Sequence, residues 1–133
     1  MEVHRQPATP KGPDTWFTGD VWIDGITSGE SPANARVSTV RFTPGARTAW
    51  HAHASGQTLY VTDGQGLTQA RSGDIVAIRA GDVITTPAGE WHWHGAAPDH
   101  YMSHITITER AAAPGNPETD WGAHVTDAEY RGE

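Results

Sequence analysis

The feature that most restricts the fold of this chain is the regular interruption of short alternating segments by glycine and proline. Fifteen glycines and nine prolines are spread along 133 residues. Between them lie runs in which apolar and polar residues alternate, such as residues 37–42 and 101–109. A period of two is typical of strands that bury one face. The pattern therefore predicts an all-β sandwich or barrel of roughly ten short strands.

A helix is expected only near the end of the sequence. Thr126 is followed after three residues by Glu129, which is the spacing of a capping box. One short helix is therefore predicted near residues 127–131. The Asp-Gly pair at residues 63–64 is typical of a hairpin turn, and residues 111–124 have the proline and glycine content of a loop.

Length, charge and cysteine content exclude several classes of protein. Residues 1–133 are expected to form one domain, with an N-terminal arm (1–15) and a C-terminal loop and helix (111–133). The formal net charge of −7 argues against nucleic acid and membrane surfaces as partners. Without cysteine there is no disulfide and no thiolate ligand. The sequence shows no signal peptide and no transmembrane segment, so we expect a cytoplasmic location.

Histidine provides the main chemistry that this sequence offers. Four of the eight histidines form two His-x-His pairs, His51 with His53 and His92 with His94, and Gln57 follows the first pair. Residues i and i+2 of a strand face the same side, so each pair can present two imidazoles together. A single such pair is more often hydrogen-bonded than metal-bound. Two pairs favour a site where three imidazoles and an amide oxygen bind a divalent transition metal.

The spacing of these residues resembles the two sequence motifs of the cupin superfamily. The first motif is matched in order by Gly45, His51, His53, Gln57 and Gly64. The second is matched by Gly81, Pro87, Gly89 and His92. The resemblance implies a double-stranded β-helix, which is a jelly-roll barrel, with a metal held in its mouth by His51, His53, Gln57 and His92. His94 would then lie in the cavity, one pleat beyond the last ligand.

A closer resemblance, over residues 11–131, is to small bacterial cupins with manganese-dependent hydroxynitrile lyase activity. It is carried by segments such as KGPDTWFTGDVWID, FTPGARTAWHAH, PAGEWHWHGAAP and DWGAHVTDAEYR. It implies a lyase that splits a cyanohydrin reversibly into an aldehyde and cyanide, with His104 acting on the substrate. His94 and His104 are the candidates for proton transfer, since imidazole titrates near neutral pH. The resemblance also implies one divalent metal per chain, with manganese first. Iron, nickel, zinc and cobalt are alternatives, because imidazole and amide oxygen suit them alike.

Cupins usually have glutamate where this chain has Gln57. Three neutral imidazoles and an amide leave both charges of a divalent metal uncompensated, whereas a carboxylate removes one. At an effective dielectric constant near 20, one charge at ~4 Å is worth about 4 kcal/mol. Gln57 therefore favours Lewis-acid or proton-transfer chemistry over oxygenase chemistry. Two alternatives stay open: a non-haem iron dioxygenase, and a cupin that binds a metal or small ligand without turnover.

The strand over residues 101–109 carries a further histidine. Met102, His104, Thr106 and Thr108 share one face of it. Periodicity does not decide which face lines the interior, and only the resemblance places His104 inside. No role is assigned to His4, His100 or His124.

Other residues near the histidine motifs have expected positions. Trp50, Trp91 and Trp93 alternate with the histidines, so they should point away from the metal and serve in packing. Arg47 and Thr48 could reach the rim of the cavity. We expect a homodimer or homotetramer, because the N-terminal arm with its aromatic residues 16–17 can pair with a sheet edge of a neighbouring copy.

Overall fold

The computed structural model describes residues 1–110 and 117–133, and this part of the chain is mostly β-structure. Its strands are Phe17–Thr18 (β1), Val21–Ser28 (β2), Ala35–Phe42 (β3), Arg47–Thr48 (β4), His51–His53 (β5), Gln57–Ala70 (β6), Val76–Arg79 (β7), Val83–Thr86 (β8), His92–Ala96 (β9), Met102–Glu109 (β10) and Thr119–Trp121 (β11). The helix α1 spans Asp127–Tyr130. The predicted all-β fold is confirmed.

The strands form two antiparallel layers that share β6. One layer has the order β2-β3-β10-β6-β8. In the other layer, β6 pairs with β7 and β9, and β9 also pairs with β4 and β5. At the edges of this layer, β1 pairs with β4 and β11 pairs with β5. Because one strand belongs to both layers, the sheet curls into a nearly closed barrel.

The bend in β6 corrects the prediction of a hairpin turn at residues 63–64. Gly64 has a φ of 78°, but the chain continues in the same strand for six more residues, to Ala70. A Cβ at Gly64 would lie 2.0 Å from the Tyr101 carbonyl oxygen, so only glycine fits. The Asp-Gly pair therefore turns the strand from one layer into the other instead of reversing it.

Two apolar clusters stabilise the barrel. The larger one lies between the layers and contains Phe17, Val21, Val40, Phe42, Ala46, Val61, Ile78, Ala96 and Met102. The smaller one contains Trp50, Trp93, Val125 and Tyr130. Fully burying an aliphatic or aromatic side chain contributes roughly 1.5–3 kcal/mol. As the alternation of β5 and β9 predicts, Trp50 and Trp93 pack in the smaller cluster, away from the neighbouring histidines.

The C-terminal segment contains a strand that the sequence did not predict. β11 pairs with β5 and places Thr119 opposite His53 and Trp121 opposite His51. The prediction of a loop over residues 111–124 is therefore wrong for residues 119–121, because pairing with β5 outweighs the local proline and glycine content. Residues 111–116 of that expected loop lie outside the described residues.

The short C-terminal helix is present as predicted, with its capping box. Thr126 Oγ1 accepts from the Glu129 backbone at 3.1 Å, and Glu129 Oε2 accepts from the Thr126 backbone at 2.8 Å. Arg47 is buried and donates to the Val125 carbonyl through Nη2 at 2.7 Å and to Asp127 at 2.8 Å. Arg47 therefore holds the C-terminal segment, and its expected position at the cavity rim is wrong.

The N-terminal arm lies along β2 of its own chain. Gln6 Nε2 donates to the Gly25 carbonyl at 3.0 Å, and Thr9 Oγ1 donates to Asp24 at 2.8 Å. These contacts cover part of the exposed edge of β2. The homodimer or homotetramer stays a prediction, which sedimentation of the purified chain would test. Within residues 1–110 and 117–133, no helix has the length and apolar character needed to cross a membrane.

Candidate metal centre

Three histidines from two adjacent strands converge inside the barrel. His51 lies directly opposite His92 in the β5–β9 pair, and His53 follows on the same face of β5. The ring centroids are 4.3 Å apart for His51 and His92, 5.0 Å for His51 and His53, and 5.5 Å for His53 and His92. One nitrogen from each ring lies within 4.8 Å of the others, and all three residues are buried. This three-histidine group can hold one metal ion.

Hydrogen bonds at Nδ1 orient the three rings. His51 Nδ1 donates to the Ala49 carbonyl and His92 Nδ1 to the Glu90 carbonyl, each at 2.9 Å. A carbonyl only accepts, so the proton of each neutral ring lies on Nδ1 and the lone pair on Nε2. His53 Nδ1 lies 3.1 Å from the Thr119 hydroxyl. Such partners commonly fix the tautomer and orientation of metal-binding histidines.

Gln57 presents its oxygen to the three-histidine group. Its Nε2 donates to Thr106 Oγ1 at 2.8 Å, and its Oε1 lies 3.1 Å from His92 Nε2. Because the proton of His92 lies on Nδ1, a lone pair of His92 Nε2 faces a lone pair of Gln57 Oε1 across this 3.1 Å. Among the described residues, His53 Nε2 is also buried without a hydrogen-bond partner. Lone pairs that lack a shared proton fit a bound cation, and imidazole nitrogen with amide oxygen suits a divalent transition metal.

Burial keeps the three histidines neutral. It lowers the pKa of His51 well below its ordinary value, and the proximity of His92 lowers that pKa further. Burial, with the neighbouring His92, lowers the pKa of His53 to about 4. Burial also lowers the pKa of His92. At neutral pH a metal ion therefore needs to displace no proton from these side chains.

His94 and His104 form a separate hydrogen-bonded pair beside the three-histidine group. His94 lies two residues beyond His92 on β9, and its Nδ1 is 2.9 Å from Nε2 of His104 on β10. Burial lowers the pKa of His104 to about 4 and that of His94 well below its ordinary value. In the described part of the chain, their outer nitrogens, His94 Nε2 and His104 Nδ1, have no hydrogen-bond partner.

His51, His53, His94 and His104 line a cavity of about 160 Å³, which we call the central cavity. Its other walls are mostly apolar and include Trp16, Phe17, Ile23, Val40 and Trp121. The Trp121 ring stacks on His51 with centroids 4.8 Å apart and on Trp16 with centroids 5.0 Å apart. Two larger clefts, about 450 and 480 Å³, have no described histidine in their walls. Among the described residues, the clustered histidines therefore face the central cavity and not these larger clefts.

The structure brings together all six residues that the sequence singled out. His51, His53, Gln57, His94 and His104 line the central cavity, and Gln57 Oε1 contacts His92. Thr48 also lines the cavity, as expected for the rim, and its hydroxyl accepts from the His94 backbone at 3.2 Å.

Sequence reasoning missed three contributors. Thr119 and Trp121 lie in the segment expected to be a loop, although their spacing of two residues places both side chains on one face of a strand. Thr106 lay on the predicted face with His104 but had no assigned role; it orients Gln57. His4, His100 and His124, which had no assigned role either, do not line the central cavity.

The fold and the site define a class: an antiparallel jelly-roll barrel with inward-facing histidines that can hold a metal. Residues 38–107 match the cupin domain family, and the chain belongs to it. The resemblance seen in the sequence is thereby confirmed.

Comparisons with known proteins agree with this assignment. The chain is 47% identical over 133 residues to a protein named (R)-mandelonitrile lyase from Granulicella tundricola, covering 98% of this chain and 99% of the relative. A cupin-like protein of Thermotoga maritima is 38% identical and superposes with a TM-score of 0.85 over 99% of this chain and 96% of its own. A polyketide cyclase from Streptomyces resistomycificus, 14% identical with a TM-score of 0.74 over 98% and 91%, shares the fold.

Proposed function

We propose that this cupin is a metal-dependent hydroxynitrile lyase, which splits a cyanohydrin reversibly into an aldehyde and hydrogen cyanide. The observation that carries the proposal is the His94–His104 pair, which lines the same cavity as the three-histidine group. The reaction needs a group that takes a hydroxyl proton and a positive charge that stabilises an anion. The similarity to the (R)-mandelonitrile lyase over nearly the whole chain supports this choice of reaction.

Four side chains would hold the metal: His51, His53, His92 and, through its oxygen, Gln57. Manganese is the ion we propose, and iron, nickel, zinc and cobalt suit the same ligand types. When bound, the metal supplies Lewis-acid stabilisation of negative charge on oxygen or on cyanide. Gln57 leaves this positive charge uncompensated, whereas a carboxylate at ~4 Å would weaken it by about 4 kcal/mol.

The His94–His104 pair would move the proton. Two neutral imidazoles have two N–H groups and two lone pairs, and their mutual hydrogen bond uses one of each. Whichever ring donates, one outer nitrogen keeps a lone pair and the other keeps a proton. The pair thus offers one proton acceptor and one proton donor at His94 Nε2 and His104 Nδ1, which have no partner within the described residues.

The reaction balances without an oxidant or reductant. The O–H bond of the cyanohydrin breaks and its proton goes to the bare outer nitrogen of the His94–His104 pair. The carbonyl double bond then forms while the carbon–carbon bond to the nitrile breaks, and the electron pair leaves with cyanide. Return of the proton to cyanide gives hydrogen cyanide and restores the neutral pair.

The apolar wall of the central cavity would bind the organic part of the substrate. Trp16, Phe17 and Trp121 form an aromatic surface next to His51. This surface suits an apolar or aromatic aldehyde and would shield the reacting atoms from water. A small aromatic cyanohydrin such as mandelonitrile is therefore the substrate that we propose to test.

The test is a spectrophotometric assay of benzaldehyde release from mandelonitrile, with manganese-loaded protein and a background of free manganese. We expect turnover above that background for the parent chain and for His100→Ala, which alters an exposed histidine outside the central cavity. A rate no higher than free metal overturns the proposal.

A non-haem iron dioxygenase is the second candidate, because the three-histidine group can also hold iron. Gln57 disfavours it, since a neutral amide does not compensate the higher charge of oxidised iron. Oxygen uptake by iron-loaded protein with an enolisable substrate would support the dioxygenase, and tight ligand binding without any product would support a purely binding cupin.

A further inference from the structure

The three histidines of the candidate metal centre are not held in the same way. His51 and His92 donate to carbonyls only two residues away in the sequence, Ala49 and Glu90. His53 instead contacts the hydroxyl of Thr119, which is 66 residues away. The orientation of this one ring therefore depends on a distant strand.

The register of β11 places Thr119 correctly for this role. Thr119 lies opposite His53 in the β5–β11 pair, so the two side chains are on the same face and close to each other. Trp121, the next residue on that face, stacks on His51. Asp120 between them is exposed and on the other face. The inward face of β11 thus contacts both members of the first His-x-His pair.

We infer that Thr119 is a positioning residue of the metal centre, where its hydroxyl accepts the Nδ1 proton of His53 and so keeps Nε2 free for the metal. This inference rests on the metal centre of the proposed function but not on the lyase reaction. Nε2 of His53 is buried and, in the described part of the chain, has no hydrogen-bond partner.

The chemistry of a hydroxyl makes this position sensitive. A carbonyl can only accept, so it imposes the Nδ1–H tautomer on His51 and His92. A hydroxyl can accept or donate, and among the described residues no carbonyl bonds to His53 Nδ1 in its place. Without the hydroxyl, the buried Nδ1–H would lack a partner, and the tautomer with its proton on Nε2 would gain population. That tautomer cannot bind a metal through Nε2.

The test compares three variants of the full chain. Thr119→Val keeps the shape and removes the hydroxyl, Thr119→Ser restores it, and Asp120→Ala is the matched control on the outward face of β11. Manganese affinity is measured by titration without substrate. We expect Thr119→Val to bind manganese 10–100-fold more weakly than the parent, as for other partners of metal-binding histidines. Thr119→Ser and Asp120→Ala should bind like the parent.

A second readout separates positioning from a purely structural role. Nitrogen NMR of the metal-free protein reports which ring nitrogen of His53 carries the proton. We expect the Nδ1–H tautomer in the parent and in Thr119→Ser, and a shift toward Nε2–H in Thr119→Val. A lower unfolding temperature of Thr119→Val with an unchanged tautomer would overturn the inference, as would an unchanged manganese affinity.

Failure of the inference and failure of the proposed function give different results. If the parent binds manganese but does not turn over mandelonitrile, only the proposed function is wrong. If it binds neither manganese nor another divalent transition metal, both are wrong. If the parent binds manganese and Thr119→Val binds it equally well, only the inference is wrong. Should Thr119→Val not fold, Thr119→Ala removes the same hydroxyl and has the same expected results.

Discussion

The two His-x-His pairs have the same local pattern and different positions in the structure. Both members of the first pair, His51 and His53, join the three-histidine group. In the second pair only His92 joins it, while His94 bonds to His104. His92 lies opposite His51, whereas His94 lies one pleat deeper, next to β10. The neighbouring strand, and not the motif, therefore decides whether a histidine joins the three-histidine group or bonds to His104.

Loss of metal is the largest expected effect, and it distinguishes the first His-x-His pair from His94 of the second. His53→Ala removes one of three nitrogen ligands, so we expect no retained metal and activity no higher than free metal. His94→Ala leaves the three-histidine group intact and should keep stoichiometric metal. Metal content after dialysis measures both. Stoichiometric metal in His53→Ala would show that the assigned ligands are wrong.

The second prediction concerns proton transfer by the His94–His104 pair. His104→Ala should keep the metal, because none of the proposed ligands changes. Turnover of mandelonitrile should fall by roughly 10²–10⁴, the usual range for loss of a general acid–base group. A fully active variant would mean that His104 is not needed, and His94 would become the better proton acceptor.

The third prediction concerns the charge at the metal. Gln57→Glu should also keep the metal but adds a negative charge beside it. This charge should weaken binding of an anion such as cyanide by up to about 4 kcal/mol at ~4 Å, and turnover should fall. Cyanide inhibition of turnover and the turnover rate itself measure the effect. If both this variant and His104→Ala are as active as the parent, the proposed mechanism is wrong.

The smallest expected effect is on stability. Burial lowers the pKa of His104 to about 4, from 6.5 in an unfolded chain. Protons therefore bind the unfolded state more tightly, and the stability present above pH ~6.5 is lost as the pH falls toward ~4. A difference of one pKa unit corresponds to about 1.4 kcal/mol, so burial of His104 accounts for roughly 3 kcal/mol of the stability lost on acidification.

Urea unfolding of the metal-free protein across this pH range measures that loss. His104→Gln should have a flatter pH dependence than the parent, because it removes the buried imidazole. Equal slopes for His104→Gln and the parent would contradict a neutral, buried His104.

Much of the site could be predicted from the sequence because it depends on short-range geometry. The His-x-His spacing places two rings on one face of a strand, and His51 and His92 are oriented by carbonyls two residues away. The capping box that begins α1 likewise involves two residues three positions apart. The glycine and proline pattern predicted the all-β fold, because such residues interrupt strands wherever the chain must bend.

Other features were decided by contacts between distant segments. β6 bends at Gly64, where the Tyr101 carbonyl leaves no room for a Cβ, and the strand continues, so the Asp-Gly pair does not form a hairpin. Arg47 faces Val125, 78 residues later, instead of the cavity. Thr119 forms part of a strand only because β5 pairs with it. A local pattern does not specify which strand will be its neighbour.

By itself, the sequence determined the β-structure, the histidine spacing and the neutral amide at position 57, since these follow from residue type and a period of two. Only the tertiary structure decided that His94 bonds to His104, that Thr106 turns the oxygen of Gln57 toward His92, and that β11 supports the first histidine pair. The physical reason is that hydrogen bonds reach about 3 Å. Their partners are therefore fixed only once the barrel closes.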